Sequence, residues 1–459
     1  MSASNSNFKW WQTAVVYQIY PRSFKDSSGD GIGDLQGIID KLDYLNDGTP
    51  DSTGIDAIWI SPIYPSPMAD FGYDVSDYKN IHPMFGDLET FDRLIAEAHQ
   101  RGIRIILDYV PNHTSDEHPW FIESRSSRDN AKSDWYIWRD AKPDGSPPNN
   151  WTSMFGGRGW TWDENRKQYY LHLFLDKQPD LNWRNPDVQE AMLEVLRFWL
   201  DRGVDGFRMD VISYLMKNPD LPDNPLLPEI DTRHLPANDL WYRQKHEHDI
   251  DQPEIHDILR RIRHLFDEYE DRVTIGEVIG TDSRERWAKY YGQNLDELHL
   301  PFNFDLMHKP WNAAVMRASV EKLESVLPPG ATPNYVLGNH DVSRFASRFG
   351  EQAVRTAGML LLTLRGVPTI YMGEELGMVD GKILPEQMQD PQGFNLGVEK
   401  TRDVCRTPFQ WSDAPFAGFS EVEPWLPIAE GYQTCNVEHQ RHDPRSVFSL
   451  YRKFIHLRK

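Results

Sequence analysis

The chain of 459 residues carries 70 acidic against 49 basic side chains, a formal net charge of −21. A surface so acidic repels phosphate backbones and anionic bilayers, which excludes nucleic acid and membrane as expected partners. Hydrophobic residues make up 39% of the chain, enough for a folded core, yet no apolar run reaches the ~18 residues a membrane span needs. The polar start "MSASNSNFKWWQ" has no apolar segment of the secretory type, so the cytoplasm is the expected location. Cys405 and Cys435 are too few for a disulfide framework and read as free thiols.

Short apolar runs recur along the chain, each followed by an amphipathic stretch. In order they are Ala14–Pro21, Ile55–Ile63, Arg104–Val110, Gly206–Val211, Arg272–Val278, Glu297–Phe304, Asn334–Asp341 and Val367–Glu375. Continuous apolar runs suit strands buried on both faces, as in a parallel sheet. Helical patterns lie between them. In one, Leu88, Phe91, Leu94, Ile95 and Ala98 share a face and Gly102 stops the helix; in another, Asn185 caps a helix with Pro186 at its first turn and Gly203 at its end. Eight such strands alternating with helices predict an α/β fold, a TIM (β/α)₈ barrel, with a doubly wound open sheet as the alternative.

Two connections are too long for ordinary loops. Residues 112–184 read as an inserted subdomain after strand three, rich in Trp, Gly, Pro and Asn. The first part of the barrel is then 1–111 and the remainder 185–459, with a second insert after strand eight at about 376–443. Asp108, Asp210, Glu277 and Asp341 fall at or just past strand ends, the end of a barrel that carries its active site.

At these positions the chain resembles the α-amylase superfamily, glycoside hydrolase family 13. The motifs are "GIDAIWISP" (54–62), "DYVPNH" (108–113), "GFRMD" (206–210), "GE" (276–277), "NHD" (339–341) and "GVPTIYMGEE" (366–375), all in the family's order. "QPDLN" (178–182) resembles the branch of oligo-1,6-glucosidases and α-glucosidases. The resemblance also implies a small C-terminal β-domain, which is absent from this chain: "LYRKFIHLRK" reads as the last barrel helix.

The resemblance implies a retaining, exo-acting α-glucosidase with probable transfer to sugars, in which Asp210 is the nucleophile, Glu277 the acid/base and Asp341 the carboxylate that holds sugar hydroxyls. Arg208 lies two residues before Asp210, on the same side of a strand, and is expected to favour its ionised form. His113 and His340 are implied to bind hydroxyls and Tyr73 to stack under the ring. Asp70 and Arg402 would close the pocket beyond the non-reducing end, with Phe155 and Phe174 at its entrance. Valine at 211 resembles 1,6-preferring members of the branch. The substrate is therefore expected to be a small α-glucoside or oligosaccharide, with no cofactor for catalysis. A sucrose isomerase or another α-glucosyltransferase on the same scaffold is the alternative, although the "RLDRD" motif of sucrose isomerases does not occur here; a transporter-associated barrel without catalysis is a more remote one.

"DSSGDGIGDL" (26–35) begins like a calcium-binding hand. The twelfth position of such a loop needs a bidentate acid, and here it is Gly37. Asp26, Ser28, Asp30 and Asp34, with the carbonyl of Ile32, remain as a candidate structural Ca²⁺ or Mg²⁺ site, which also resembles the cation loop of oligo-1,6-glucosidases.

Overall fold

The computed structural model describes residues 8–227 and 237–459. Its strands are β1 (Val16–Ile19), β2 (Ala57–Ile60), β3 (Arg104–Tyr109), β4 (Trp138–Arg139), β5 (Trp160–Asp163) and β6 (Gln168–Leu171), then β7 (Gly206–Met209), β8 (Val273–Gly276), β9 (Leu300–Asn303), β10 (Asn334–Val336) and β11 (Val367–Tyr371). Eight of them close into a barrel in the order β1-β11-β10-β9-β8-β7-β3-β2. Every pairing in the barrel is parallel, from Val16 opposite Ala57 round to Val16 opposite Thr369. Each of the eight apolar runs contains one of these strands, and the open doubly wound sheet is excluded by closure.

Parity along the strands sorts the side chains. Trp59, Ile106, Val273, Ile275, Leu300, Phe302 and Val336 form a compact cluster inside the barrel. Their neighbours Ile58, Ile60, Ile105, Leu107 and Phe207 belong to a second, larger core shared with the helices. Both faces are apolar, so the strands read as unbroken hydrophobic runs. The same parity fixes the next layer up: Asp108 follows Ile106 by two residues, Glu277 follows Ile275, and Arg208 and Asp210 follow Gly206. The apolar plug of the barrel thus ends in a layer of charge at the C-terminal rim.

The helices obey their sequence signals. Asp87 caps Leu88–Gln100 by accepting from the Thr90 amide, and Phe91, Leu94, Ile95 and Ala98 are its buried face. Asn185 caps Pro186–Asp201 through the Asp187 amide. The final helix, Val447–Arg458, buries Phe448, Leu450, Tyr451 and Ile455. No helix among the described residues is long and apolar enough to cross a membrane. Between β3 and the helix at Pro186, strands β4, β6 and β5 form a small antiparallel sheet. Beyond β11 the chain runs through short 3₁₀ turns and the helix Pro391–Leu396. Both cysteines are free, Cys405 fully buried.

Two acids follow β11 in the barrel wall. Glu375 accepts from the hydroxyls of Tyr17 (2.6 Å) and Tyr44 (2.7 Å) and from the Gly373 amide. Glu374 is buried with neither carboxyl oxygen hydrogen-bonded among the described residues. Position 338 is glycine because a Cβ there would sit 2.5 Å from Glu374 Oε1. Burial pushes Glu374 up to about 8, against the lowering pull of Arg348 and Arg344. Between 4.5 and about 8 the native state therefore holds a proton that the unfolded chain releases. The stability from this group is complete below the unfolded pKa and is lost as pH rises through the folded one. Glu374→Gln, which keeps the neutral shape, is expected to flatten the fall of the thermal midpoint between about pH 5 and pH 8. Equal slopes in parent and variant would mean that Glu374 is ionised.

Candidate active site

Arg208 sits at the centre of the rim and is 1% exposed. Its Nη1 donates to Asp108 Oδ1 (2.8 Å) and Asp210 Oδ1 (2.7 Å), and its Nη2 donates to Glu277 Oε2 (2.5 Å). One guanidinium therefore holds three buried carboxylates from the ends of three adjacent strands. Val211 adds a fourth tie, its N–H donating to Glu277 Oε2 at 3.1 Å. To do so Val211 adopts φ 35° and ψ 45°, a left-handed conformation that is costly for a β-branched residue and is found where surrounding structure enforces it. Among the described residues, Asp210 Oδ2 and Glu277 Oε1 keep no protein partner, and both residues line a cavity.

Arg208 favours the ionised form of Asp210, as expected, but it is outweighed. Burial lifts Asp210 well above the usual carboxylate range, and Glu277 and Asp108 add to it, while Arg208 only partly opposes them. Burial likewise raises Asp108 to about 6 despite the same guanidinium. A single cation cannot keep three buried carboxylates ionised, so the cluster retains a proton.

Asp341 lies opposite and is 32% exposed along its side chain. It accepts from Arg406 Nη2 (2.9 Å) and Arg402 Nη1 (3.2 Å). Burial works against its ionisation, but His340 and these arginines hold it well below the usual carboxylate range. Burial takes His340 itself down to about 3, so it is neutral near pH 7 and the arginines supply the charge. Gln18 Nε2 donates to His340 Nδ1 (2.7 Å), which leaves the ring proton on Nε2, 2.7 Å from the Tyr73 hydroxyl. Tyr73 OH in turn donates to Asp108 Oδ2 (3.1 Å). The Tyr73 ring stacks on His340 at 5.4 Å with planes 3° apart.

Arg402 bridges the far side. Its Nη2 donates to Asp70 Oδ1 (2.7 Å) and to Asp390 Oδ1 (2.6 Å), and its Cζ lies 4.9 Å over the Phe155 ring. Gln178 Nε2 donates to Asp70 Oδ2 and to His113 Nε2, both at 3.1 Å. The Gln178 carbonyl accepts from the Leu175 amide (3.1 Å), which fixes the direction of the side-chain amide. Burial lowers His113 to about 4, so it too is neutral at physiological pH. A buried pair, Lys217 with Asp180 at 2.5 Å, pins this part of the inserted segment to the barrel, and Lys217 also donates to Asn112.

These residues surround one cavity of about 180 Å³. Asp70, Tyr73, His113, Phe155, Phe174, Asp210, Val211, Glu277, His340, Asp341 and Arg402 all line it, and Arg208 lies directly behind Asp210 and Glu277. Phe155 and Phe174 pack edge to face, 5.6 Å apart, in a small core with Val211 and Tyr214. Sequence reasoning missed Asp390 and Arg406, which anchor Arg402 and Asp341, and the bridging role of Gln178. Asp390 and Arg406 lie in an irregular segment with no periodicity to single them out; for Gln178 the QPDLN motif was the available signal.

The acidic loop lies elsewhere, and its carboxylates are engaged by hydrogen bonds. Asp26 accepts from the amides of Gly29 (2.7 Å) and Gly31 (2.9 Å) and from the hydroxyl of Ser420 (2.6 Å). Both oxygens of Asp34 accept from Ser27 Oγ, and Oδ1 also caps the next helix through the Gly37 amide. Asp30 accepts from the Ile32 amide, and Ser28 donates to Asp26. Among the described residues no group of three or more His, Cys, Asp or Glu is arranged to hold a metal. The loop's carboxylate oxygens accept from its own N–H and O–H groups and from Ser420.

A barrel whose C-terminal rim gathers paired carboxylates around a small pocket is the architecture of a glycan-cleaving enzyme. The sequence model of the family "Alpha amylase, catalytic domain" matches residues 18–459. The chain belongs to this family, glycoside hydrolase family 13, and is a glycoside hydrolase. It is 46% identical to a probable alpha-glucosidase of Rhizobium meliloti, over 98% of this chain and 82% of that protein. It is 42% identical to an oligo-1,6-glucosidase of Parageobacillus thermoglucosidasius, over 98% and 84%. Among solved structures it superimposes on the alpha-glucosyl transfer enzyme XgtA with a TM-score of 0.93 at 46% identity, over 98% of this chain and 84% of that one. An isomaltulose synthase variant from Erwinia rhapontici NX5, in complex with sucrose, gives 0.87 at 38% identity, over 99% and 84%.

Thermal unfolding with and without EDTA checks the acidic loop. A structural cation held by Asp26, Ser28, Asp30, Asp34 and the Ile32 carbonyl predicts a fall of several degrees that Ca²⁺ reverses; an unchanged midpoint would count against a tightly held metal.

Proposed function

We propose that the protein is an exo-acting α-glucosidase that removes single glucosyl units from short α-glucosides with retention, through a glucosyl-enzyme on Asp210. The observation that carries this reading is the pairing of Asp210 and Glu277 on neighbouring nitrogens of Arg208. Two carboxyl groups held so close suit the roughly 5–5.5 Å spacing of a retaining pair better than the roughly 6.5–9.5 Å of an inverting one. Arg208 takes Asp210 Oδ1, which leaves Oδ2 to attack the anomeric carbon. Arg208 and Val211 take Glu277 Oε2, which leaves Oε1 to carry the proton to the departing oxygen. The proton retained by the acid cluster is the one this step requires. It has to reside on Glu277 when the substrate binds, with Asp210 ionised beside the developing positive charge.

Exo action follows from the Asp70–Arg402 bridge, itself locked by Asp390, across the end of a cavity of about 180 Å³. That volume lies below the roughly 300–1,000 Å³ of larger ligand sites and suits one sugar ring. Neutral His113 and His340 can exchange hydrogen bonds with hydroxyls without adding charge. The family likenesses support glucose as that sugar, since the relatives include glucosidases and glucosyl transfer enzymes. Transfer to an acceptor other than water uses the same intermediate and is part of the proposed activity. A preference for α-1,6 linkages is proposed from Val211, which lines the cavity beside Asp210.

With p-nitrophenyl α-glucoside as substrate, so that the only glucose released is the transferred unit, the first product seen by proton NMR is expected to be α-glucose. First release of β-glucose would overturn retention. Asp210→Asn is expected to lower kcat by at least about 10³-fold. Glu277→Gln is expected to lower it by about 10²–10⁴-fold on isomaltose, and much less on p-nitrophenyl α-glucoside, whose leaving group needs no proton.

Val211→Thr is expected to lower the isomaltose-to-maltose ratio of kcat/KM by a factor corresponding to about 1–3 kcal/mol. An unchanged ratio would remove Val211 from linkage choice.

A further inference from the structure

A chain of hydrogen bonds crosses the rim behind the cavity, and its direction is set at its far end. Asp108 accepts from Arg208 Nη1 at both oxygens (2.8 and 3.1 Å), and its Oδ2 also accepts from Trp59 Nε1 (3.1 Å) and faces the Tyr73 hydroxyl (3.1 Å). A carboxylate so surrounded by donors can only accept, so the Tyr73 proton points at Asp108. A hydroxyl has one proton. Tyr73 therefore meets His340 Nε2, at 2.7 Å, as an acceptor, and Nε2 carries the ring proton. Asp341 Oδ2, 3.3 Å from the same nitrogen, demands a proton there too. Burial keeps His340 neutral near pH 7, so its Nδ1 is bare and must be met by a donor. The group 2.7 Å away is the Gln18 amide, which is thereby fixed with Nε2 toward the ring.

Gln18 does not line the cavity. It is fully buried on β1, two residues after Val16 of the apolar plug. Its N–H groups serve His340 and Ser61 Oγ (3.3 Å), while its own carbonyl oxygen has no partner among the described residues. An unpaired buried carbonyl is penalised, so this orientation persists because the chain from Asp108 enforces it. The ring it serves is held between Tyr20 (5.8 Å, planes 20° apart) and Tyr73 (5.4 Å, 3°). A histidine ring is commonly oriented by donating from Nδ1 to an oxygen, which leaves Nε2 bare. Here the order is reversed.

We infer that Gln18 is a positioning residue for the reaction: by donating to Nδ1 it obliges His340 to offer an N–H, and not a lone pair, to a hydroxyl of the bound glucosyl unit. His340 and Asp341 both line the cavity and then become complementary, since one hydroxyl can accept from the imidazole and donate to the carboxylate. With the opposite tautomer, a lone pair would face the Asp341 carboxylate, and a hydroxyl would have one proton for two acceptors. The inference rests on the glucosyl-binding reading of the pocket above and adds a residue outside it.

The test starts with the whole chain labelled with ¹⁵N in histidine, the His340 signals being those that vanish in His340→Asn. A bare Nδ1 and a protonated Nε2 are expected near pH 7. The opposite tautomer would overturn the inference, whether or not the enzyme turns over. Gln18→Met then removes the donor with an unbranched side chain of similar size. On p-nitrophenyl α-glucoside it is expected to lower kcat roughly ten- to a hundredfold, the scale of a misplaced site group. Added to His340→Asn, the same change is expected to cost less than about twofold, because no ring is left to orient. Equal losses in the two backgrounds would mark a general structural effect and overturn the inference. The tautomer of the parent decides the matter even if Gln18→Met does not fold. No turnover of the glucoside by the parent would strike the proposed function instead, with the tautomer still readable.

Discussion

The structure turns on one buried guanidinium facing too many carboxylates. Arg208 alone neutralises Asp108, Asp210 and Glu277, and all four side chains are less than a tenth exposed. Removing one member of such a cluster leaves an uncompensated buried charge, which costs about 3–5 kcal/mol in comparable pairs. The excess of acid over base keeps a proton in the site near neutral pH. An enzyme that must donate one proton and present one carboxylate needs that composition. The strain at Val211 belongs to the same arrangement, since its left-handed backbone directs its N–H onto Glu277.

The barrel supplies the rigid frame for this cluster. Parity along each strand lifts Asp108, Arg208, Asp210 and Glu277 above an apolar plug of Trp59, Ile106, Ile275 and Phe302. Arg208 also lies 5.0 Å over the Trp59 ring, so the charged layer rests on the hydrophobic one. Two segments far apart in sequence complete the pocket. The inserted segment brings Phe155, Phe174 and Gln178, held by Lys217 and Asp180. The segment after β11 brings Asp390, Arg402 and Arg406, and the Arg402–Asp70 pair joins the two sides. The second arginine, Arg406, helps hold Asp341 below the usual carboxylate range, while burial among other acids lifts Asp210 above it. Two carboxylates in one pocket are thus shifted in opposite directions by their different surroundings.

Strand existence was legible because burial on both faces writes unbroken apolar runs, and strand ends were legible because acids interrupt them. The site residues named from their family motifs line one cavity, with Arg208 just behind it. Three features were not legible. The net balance at Asp210 was not visible, because proximity to Arg208 can be read in a sequence but burial and the competition of Asp108 and Glu277 for the same cation cannot. Asp26, Ser28, Asp30 and Asp34 alternate along the loop, but the amides and hydroxyls that engage them could be assigned only in the fold. Asp390 and Arg406 carry no local signal, since their partners lie in other segments.

By itself the sequence determined the eight strands, their order along the chain and the identity of the acids at their ends, because periodicity and strand-end position are local properties of the chain; closure into a barrel was decided in the fold. The tertiary structure alone decided which acids share a cation and where the spare proton is kept. It also decided that Asp390 locks Arg402 and that Arg406 reaches Asp341. Those properties depend on distance and desolvation between groups remote in sequence, and neither quantity exists until the chain has closed on itself.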